Sequence, residues 1–292
     1  MRTTCLLLIF LLGVPVAAAQ GWADLESEEL ERYFERRVTR LEDPLAEIET
    51  IEDWERRRPR ARTQLLEMLG LDPLPERTDL KPTVTGVVER DRVTVEKLHF
   101  QSSPGLYVTA NLYLPKERAG KVPAVLYVCG HGASKRDGVS FGNKVTYQRH
   151  GVWFARNGYA CLVIDTLQLG EIEGMHHGTY RHDRWWWHAR GYTPAGVEAW
   201  NCMRAIDYLQ SREDIDPQRI GCTGNSGGGT LTSYLMALDE RIVCAAPSCY
   251  LCGFRRLCET IGPQDAEQNI HGQIAFGMDH ADYILARAPK PT

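Results

Sequence analysis

Arg219-Ile220-Gly221-Cys222-Thr223-Gly224-Asn225-Ser226-Gly227-Gly228-Gly229-Thr230-Leu231-Thr232-Ser233-Tyr234-Leu235-Met236-Ala237-Leu238 is the stretch on which the fold turns. Residues 219–223 read as an apolar strand and 230–238 as a helix, and Ser226 lies between them in the pattern G-x-S-x-G. A serine on such a strand-to-helix bend is a nucleophile elbow. Glycines flank it because larger neighbours would collide with the adjoining strand and helix. The bend turns the hydroxyl outward, where it can attack a carbonyl, while the amide of Gly227 opens the helix and can hold the negative charge that forms. The competing reading, a Gly-rich loop that only packs closely, is disfavoured by the strand and helix on either side.

Upstream, Val122 to Cys129 reads as a continuous apolar strand, and the loop after it is Gly130-His131-Gly132-Ala133. Small residues there let the backbone approach a substrate carbonyl, so the amide of Gly132 or of Ala133 is expected as the second oxyanion donor. His131 is expected to orient this loop, since the proton acceptor in this arrangement follows the serine in the chain. Strand periodicity also marks 84–88, 93–100, 107–114, 160–164 and 242–246. Helices are expected over 144–157 and 194–211. Antiparallel strands followed by strand–helix–strand units predict an α/β domain with a mixed, mostly parallel sheet covered by helices on both faces.

The beginning of the chain has a different character. Arg2 precedes an apolar run from Cys5 to Val16 and then Ala17-Ala18-Ala19, so residues 1–19 read as a secretory signal peptide and the protein as secreted or periplasmic, without stable membrane insertion. Residues 20–82 read as a helical extension and linker, with Pro59 expected to break the second helical run. Residues 83–292 form the main domain. A net charge of −4, with basic clustering only at Arg56-Arg57-Arg58 and Arg60 among glutamates, argues against nucleic acid as a partner. Most cysteines sit in apolar patterns and read as small buried hydrophobes. The C-x-x-C of Cys249 and Cys252 has no second pair at zinc-site spacing, and a local disulfide involving Cys249, Cys252 or Cys258 stays open.

The segment from Thr166 to Tyr192 is long for a loop and rich in His, Arg and Trp. His176, His177, His182 and His188 match no zinc spacing, so no metal site is expected. A substrate-facing wall fits better, with the Trp185 to Trp187 cluster, Trp185 and Trp186 foremost, giving flat apolar surfaces and Arg181 and the histidines of this loop, with His131 of the earlier one, giving hydrogen bonds. At least one of the three adjacent tryptophans packs the loop against the body.

Three stretches carry a resemblance: Tyr127-Val128-Cys129-Gly130-His131-Gly132, Gly191 to Trp200, and Gly221 to Thr230. From about Leu69 onward the chain resembles exported bacterial α/β-hydrolases related to acetyl xylan esterases and dienelactone hydrolases. The resemblance implies ester hydrolysis through an acyl-serine intermediate on a small-molecule or carbohydrate ester such as acetylated xylan, with no cofactor. A prolyl-oligopeptidase-like peptidase shares the elbow and topology, and an inactive remnant or binding protein would keep the pocket. The acid and histidine of such a triad follow the serine. After Ser226 only His271 and His280, with Asp239, Asp265, Asp279 and Asp282, remain, and none follows a recognisable later strand. The expectation is therefore a hydrolase domain whose C-terminal strands, acid and histidine are missing; the alternative is a compressed triad of Asp265 with His271 or His280.

Overall fold

In a computed structural model, residues 16–39, 41–167, 169–172, 186–260 and 266–292 are described. Helices α1 (Val16–Thr39) and α2 (Ile51–Leu69) precede the strands β1 (Thr83–Glu89), β2 (Val93–Ser103), β3 (Leu106–Pro115) and β4 (Val122–Val128). A small ribbon, β5 (Lys135–Arg136) with β6 (Val139–Ser140), leads to α3 (Gln148–Arg156) and β7 (Ala160–Ile164). Then come α4 (Trp186–Ala189), α5 (Pro194–Ser211), β8 (Ile215–Asn225), α6 (Gly227–Leu238), β9 (Ile242–Ser248), α7 (Phe254–Glu259), α8 (Gln273–Phe276) and α9 (His280–Arg287).

Seven strands form one sheet in the order β1-β2-β3-β7-β4-β8-β9. β1, β2, β3 and β7 pair antiparallel in turn, and β7, β4, β8 and β9 run parallel. The pleat sorts side chains by alternation. From β4 and β7, Ala124, Leu126, Val128, Leu162 and Ile164 enter the main core with α2, α5 and α6, whereas Val125, Tyr127, Cys161 and Val163 meet α3 on the other face. This is the mixed sheet with both faces covered that the strand pattern predicted, and the C-terminal ends of β4, β7 and β8 share one edge. None of the helices, among the described residues, is long and apolar enough to cross a membrane.

Two local expectations are corrected, and one open pairing is narrowed. Pro59 does not break α2, which runs unbroken through it. A proline inside a helix costs about 3 kcal/mol. Burial of Leu65, Met68 and Leu69 downstream offsets this, at about 1.5–3 kcal/mol for each side chain. Upstream, a capping box between Thr50 and Asp53 holds the helix start, and Trp54 Nε1 donates to the Leu285 carbonyl at 2.9 Å. The apolar end of α2 thus belongs to the main core, although the sequence read it as an extension. The helix expected over 144–157 divides into a 3₁₀ turn, Asn143–Val145, and α3, because Lys144 is drawn into a buried pair with Asp165 (2.6 Å). Cys249 and Cys252 are both exposed free thiols, so the local disulfide does not join them.

Candidate active site

β8 ends at Asn225 and α6 begins at Gly227, leaving Ser226 at φ 58°, ψ −121°. A non-glycine residue held at positive φ is strained by about 1–3 kcal/mol and persists only where its surroundings force it. They do so here through the Ser226 amide, which donates to the Ser248 carbonyl at 2.9 Å, and the Ser226 carbonyl, which accepts from the Thr230 amide at 3.0 Å. The helix presses closely on the end of β4: a Cβ added at Gly228 would lie 2.0 Å from the Val128 carbonyl oxygen. The elbow read from the sequence is therefore present, and its serine is half-buried rather than sealed in the core.

The loop after β4 brings His131 over this bend. Its Nδ1 lies 3.3 Å from Ser226 Oγ, and its Nε2 lies 2.9 Å from Oε1 of Glu267. Glu267 is buried, and its backbone carbonyl accepts a hydrogen bond from the Tyr234 hydroxyl at 3.0 Å. The same carboxylate explains why residue 227 is glycine, since a Cβ there would meet Glu267 Oε1 at 2.5 Å. A proton on Nε2 facing the carboxylate leaves the Nδ1 lone pair facing the hydroxyl, the tautomer that a proton acceptor needs. Read from the sequence, His131 orients its loop and hydrogen-bonds substrate, and the proton acceptor is expected after the serine. The structure puts its imidazole against the nucleophile.

The oxyanion donors separate as well. The Gly132 amide donates to the Gly130 carbonyl at 2.9 Å, which turns it back on its own loop and takes it out of the pair Gly132 or Ala133. Arg181 and Trp185 lie outside the described residues, and so does the side chain of Trp186, whose backbone opens α4; the substrate wall read from them is not placed. Asp265 also lies outside them. His271 donates its amide to the Met68 carbonyl, and its ring rests against Phe276. His280 is buried beside Tyr250, Phe254 and Tyr283, accepts a hydrogen bond from the Cys252 amide, and is held neutral by burial, with its pKa lowered to about 4. Neither ring reaches Ser226 among the described residues, so the compressed triad does not form.

Two further acids border the site. Glu198 on α5 accepts the Leu167 amide at 3.1 Å, and burial, with the nearby charge of Glu267, pushes its carboxyl well above the usual range. Burial also raises Asp165, against the pull of Lys144. Sequence reasoning missed Glu267, which lies in no periodic segment, and passed over Glu198 inside the quoted Gly191–Trp200 stretch. No group of three or more His, Cys, Asp or Glu able to hold a metal occurs among the described residues.

The model of the acetyl xylan esterase family (AXE1) matches residues 74–276. The Bacillus subtilis (strain 168) protein YtaP is 28% identical over 196 residues, which are 66% of this chain and 64% of YtaP. The methylesterase BT1017 superposes with a TM-score of 0.68 at 26% identity, over 88% of this chain and 54% of that one. A glucuronoyl esterase from Solibacter usitatus shares the fold, with a TM-score of 0.60 at 18% identity over 82% of this chain and 74% of its own. The chain thus spans less than two thirds of YtaP and about half of BT1017.

Proposed function

Because the chain belongs to the acetyl xylan esterase family, we propose that it is a serine carboxylic-ester hydrolase acting on acylated carbohydrate. The observation that carries this reading is the strained Ser226 hydroxyl lying 3.3 Å from an imidazole whose other nitrogen meets a buried carboxylate. In the proposed reaction Ser226 Oγ attacks the ester carbonyl carbon as His131 Nδ1 takes the hydroxyl proton. The carbonyl oxygen becomes an oxyanion held by the amides of Gly227 and Ala133. The tetrahedral intermediate collapses, the C–O bond to the sugar breaks, and His131 returns the proton to the departing alcohol oxygen. Water, deprotonated by the same imidazole, attacks the acyl-serine and releases the carboxylic acid and free Ser226. Glu267 lies 2.9 Å from His131 Nε2 and stabilises the imidazolium as it forms, as the acid of a triad does.

The carbohydrate side of the substrate is supported by the acetyl xylan esterase family and by the likeness to a glucuronoyl esterase, and ester cleavage also by the likeness to a methylesterase. The leader pattern of residues 1–19 supports a reaction outside the cytoplasm.

The test is labelling by a serine-directed phosphonate alongside hydrolysis of 4-nitrophenyl acetate and acetylated xylo-oligosaccharides. Ser226→Ala is expected to abolish labelling and turnover, and persistent turnover overturns the assignment. His131→Asn is expected to lower turnover by roughly 10²–10⁴-fold, the usual contribution of a general base. An unchanged rate in that variant moves the proton acceptor elsewhere while leaving Ser226 in place. Cleavage of short peptides in preference to the acetylated sugars would favour the peptidase instead.

A further inference from the structure

Behind the His131 loop lies a fully buried amide that the mechanism above does not use. Asn143, on the 3₁₀ turn before α3, has 0% exposure. Its Nδ2 donates to the Gly130 carbonyl at 3.0 Å and to the Thr166 hydroxyl at 2.8 Å, and its Oδ1 accepts the Thr166 amide at 3.2 Å. Both ends of the amide are used, two donations from Nδ2 and one acceptance at Oδ1, so its orientation is set. Its own backbone amide is tied to the Leu169 carbonyl at 2.9 Å. The next residue, Lys144, is fixed through its amide and its Nζ to the Asp165 carboxylate, at 2.9 and 2.6 Å. Asn143 is therefore anchored on the end of β7 and reaches from there to the end of β4.

What it reaches is the peptide that carries His131. The Gly130 carbonyl accepts two donors, Asn143 Nδ2 and the Gly132 amide, and the backbone of Gly130 also meets the Tyr147 hydroxyl. The direction of a carbonyl fixes the plane of the peptide that contains it, here the one joining Gly130 to His131. That plane sets the line along which the His131 side chain leaves the backbone and the way the following amides point.

We propose that Asn143 is a positioning residue that orients the Gly130–His131 peptide and so places the imidazole of His131 against Ser226 Oγ. The inference rests on the serine-hydrolase reading for its effect on chemistry, but its effect on the loop stands apart from that reading. An error of about 1 Å in the placement of a catalytic group can lower a rate on the order of a hundredfold, so a side chain with no contact to substrate can still matter to turnover.

Three variants of the whole 292-residue chain separate the possibilities. Asn143→Asp keeps the shape and the acceptor for Thr166 but, when ionised, turns a negative oxygen toward the Gly130 carbonyl. Asn143→Ala removes both contacts. Thr166→Val removes the hydroxyl that shares Asn143 Nδ2 and leaves the bond to Gly130 in place. Hydrogen exchange over 127–134 is expected to speed up in both Asn143 variants and to stay close to wild type in Thr166→Val. The phosphonate labelling rate is expected to fall about tenfold to a hundredfold in Asn143→Ala, with a less than twofold change in Thr166→Val. In Asn143→Asp the labelling rate relative to wild type at the same pH is expected to recover as pH is lowered and the new carboxyl regains a proton to donate, a pH response that a purely structural loss would not give.

Unchanged exchange at 127–134 in both Asn143 variants overturns the inference. Faster exchange with wild-type labelling overturns its catalytic part. If Ser226→Ala labels like wild type, the hydrolase reading fails, and the exchange measurement still decides whether Asn143 holds the loop.

Discussion

The elbow at the end of β8 and the seam between α2 and α9 are both polar and partly buried, yet they are built in opposite ways. Along the seam the polar groups are matched. Arg57 pairs with Asp282 at 2.7 Å, Arg58 Nε donates to the Ala286 carbonyl at 2.9 Å, and each helix starts in a reciprocal capping box, Thr50 with Asp53 and Asp279 with Asp282. Around the elbow, Ser226 is held at positive φ, and the buried oxygens of Glu267, the nearer 2.9 Å from His131 Nε2, receive no well-directed hydrogen bond among the described residues. Unmet hydrogen-bonding capacity and backbone strain are thus gathered where a reacting group would be accommodated, and the seam supplies stability at a distance from it.

The largest test of that contrast is at Gly228. A methyl group there must displace the Val128 backbone, so Gly228→Ala is expected to destabilise the fold by about 4 kcal/mol or more, read as the shift in a urea unfolding midpoint. Gly277, at φ 80° before α9 with nothing within 4 Å of an added Cβ, is the comparison position at the seam. There the same change costs only the left-handed conformation, about 1 kcal/mol. Equal losses at the two positions would mean that the elbow is not uniquely tight.

A second test finds the point where the seam is not fully matched. His280 opens α9, 1% exposed, with its Nε2 buried and, among the described residues, without a hydrogen-bond partner. Burial lowers its pKa from 6.5 to about 4. Between those values the unfolded chain binds a proton that the folded chain refuses, so stability is full above pH 6.5 and is lost as pH falls toward 4, by about 3 kcal/mol in all. Asp279 and Asp282, both raised chiefly by burial, act in the reverse sense over the acid range and partly hide this loss in the wild type. In His280→Asn the side-chain oxygen replaces Nδ1 as acceptor for the Cys252 amide, and those two carboxyls are unchanged. The difference in unfolding free energy between wild type and variant should therefore shrink as pH drops from 7 to 4, and a difference independent of pH would show that His280 is not held neutral.

Much of this was legible in the residues. The elbow, the strand before Gly130 and the helix from Pro194 declare themselves through local spacing, because a period of two or of 3.6 and a run of glycines are properties of neighbours in the chain. The partner of the nucleophile was not legible. His131 and Ser226 are 95 residues apart, and Glu267 comes from a segment with no periodicity, so their meeting is a product of strand order. The order β7-β4-β8 alone brings the Gly130 loop beside the elbow. Asn143 was hidden for a related reason: its role depends on β7 lying next to β4, and a buried asparagine looks in sequence like any loop residue.

Pro59 marks the opposite failure, where a strong local rule gave way to packing. The proline has no N–H to offer the carbonyl of Glu55, yet α2 continues because its two halves are anchored separately. Trp54, Arg57 and Arg58 hold the first half to α9, and Leu65, Met68 and Leu69 hold the second in the core. Pro59 itself is exposed, and the contacts that hold the seam come from its neighbours. Pro59→Ala should then restore one helical hydrogen bond and raise the unfolding free energy by about 1 kcal/mol. This is less than the full helix-interior difference, because the more flexible unfolded chain gains entropy in the same substitution. A loss of stability in this variant would mean that Pro59 itself is what lets both halves of α2 reach their anchors, and that the seam, like the elbow, depends on a locally unfavourable residue.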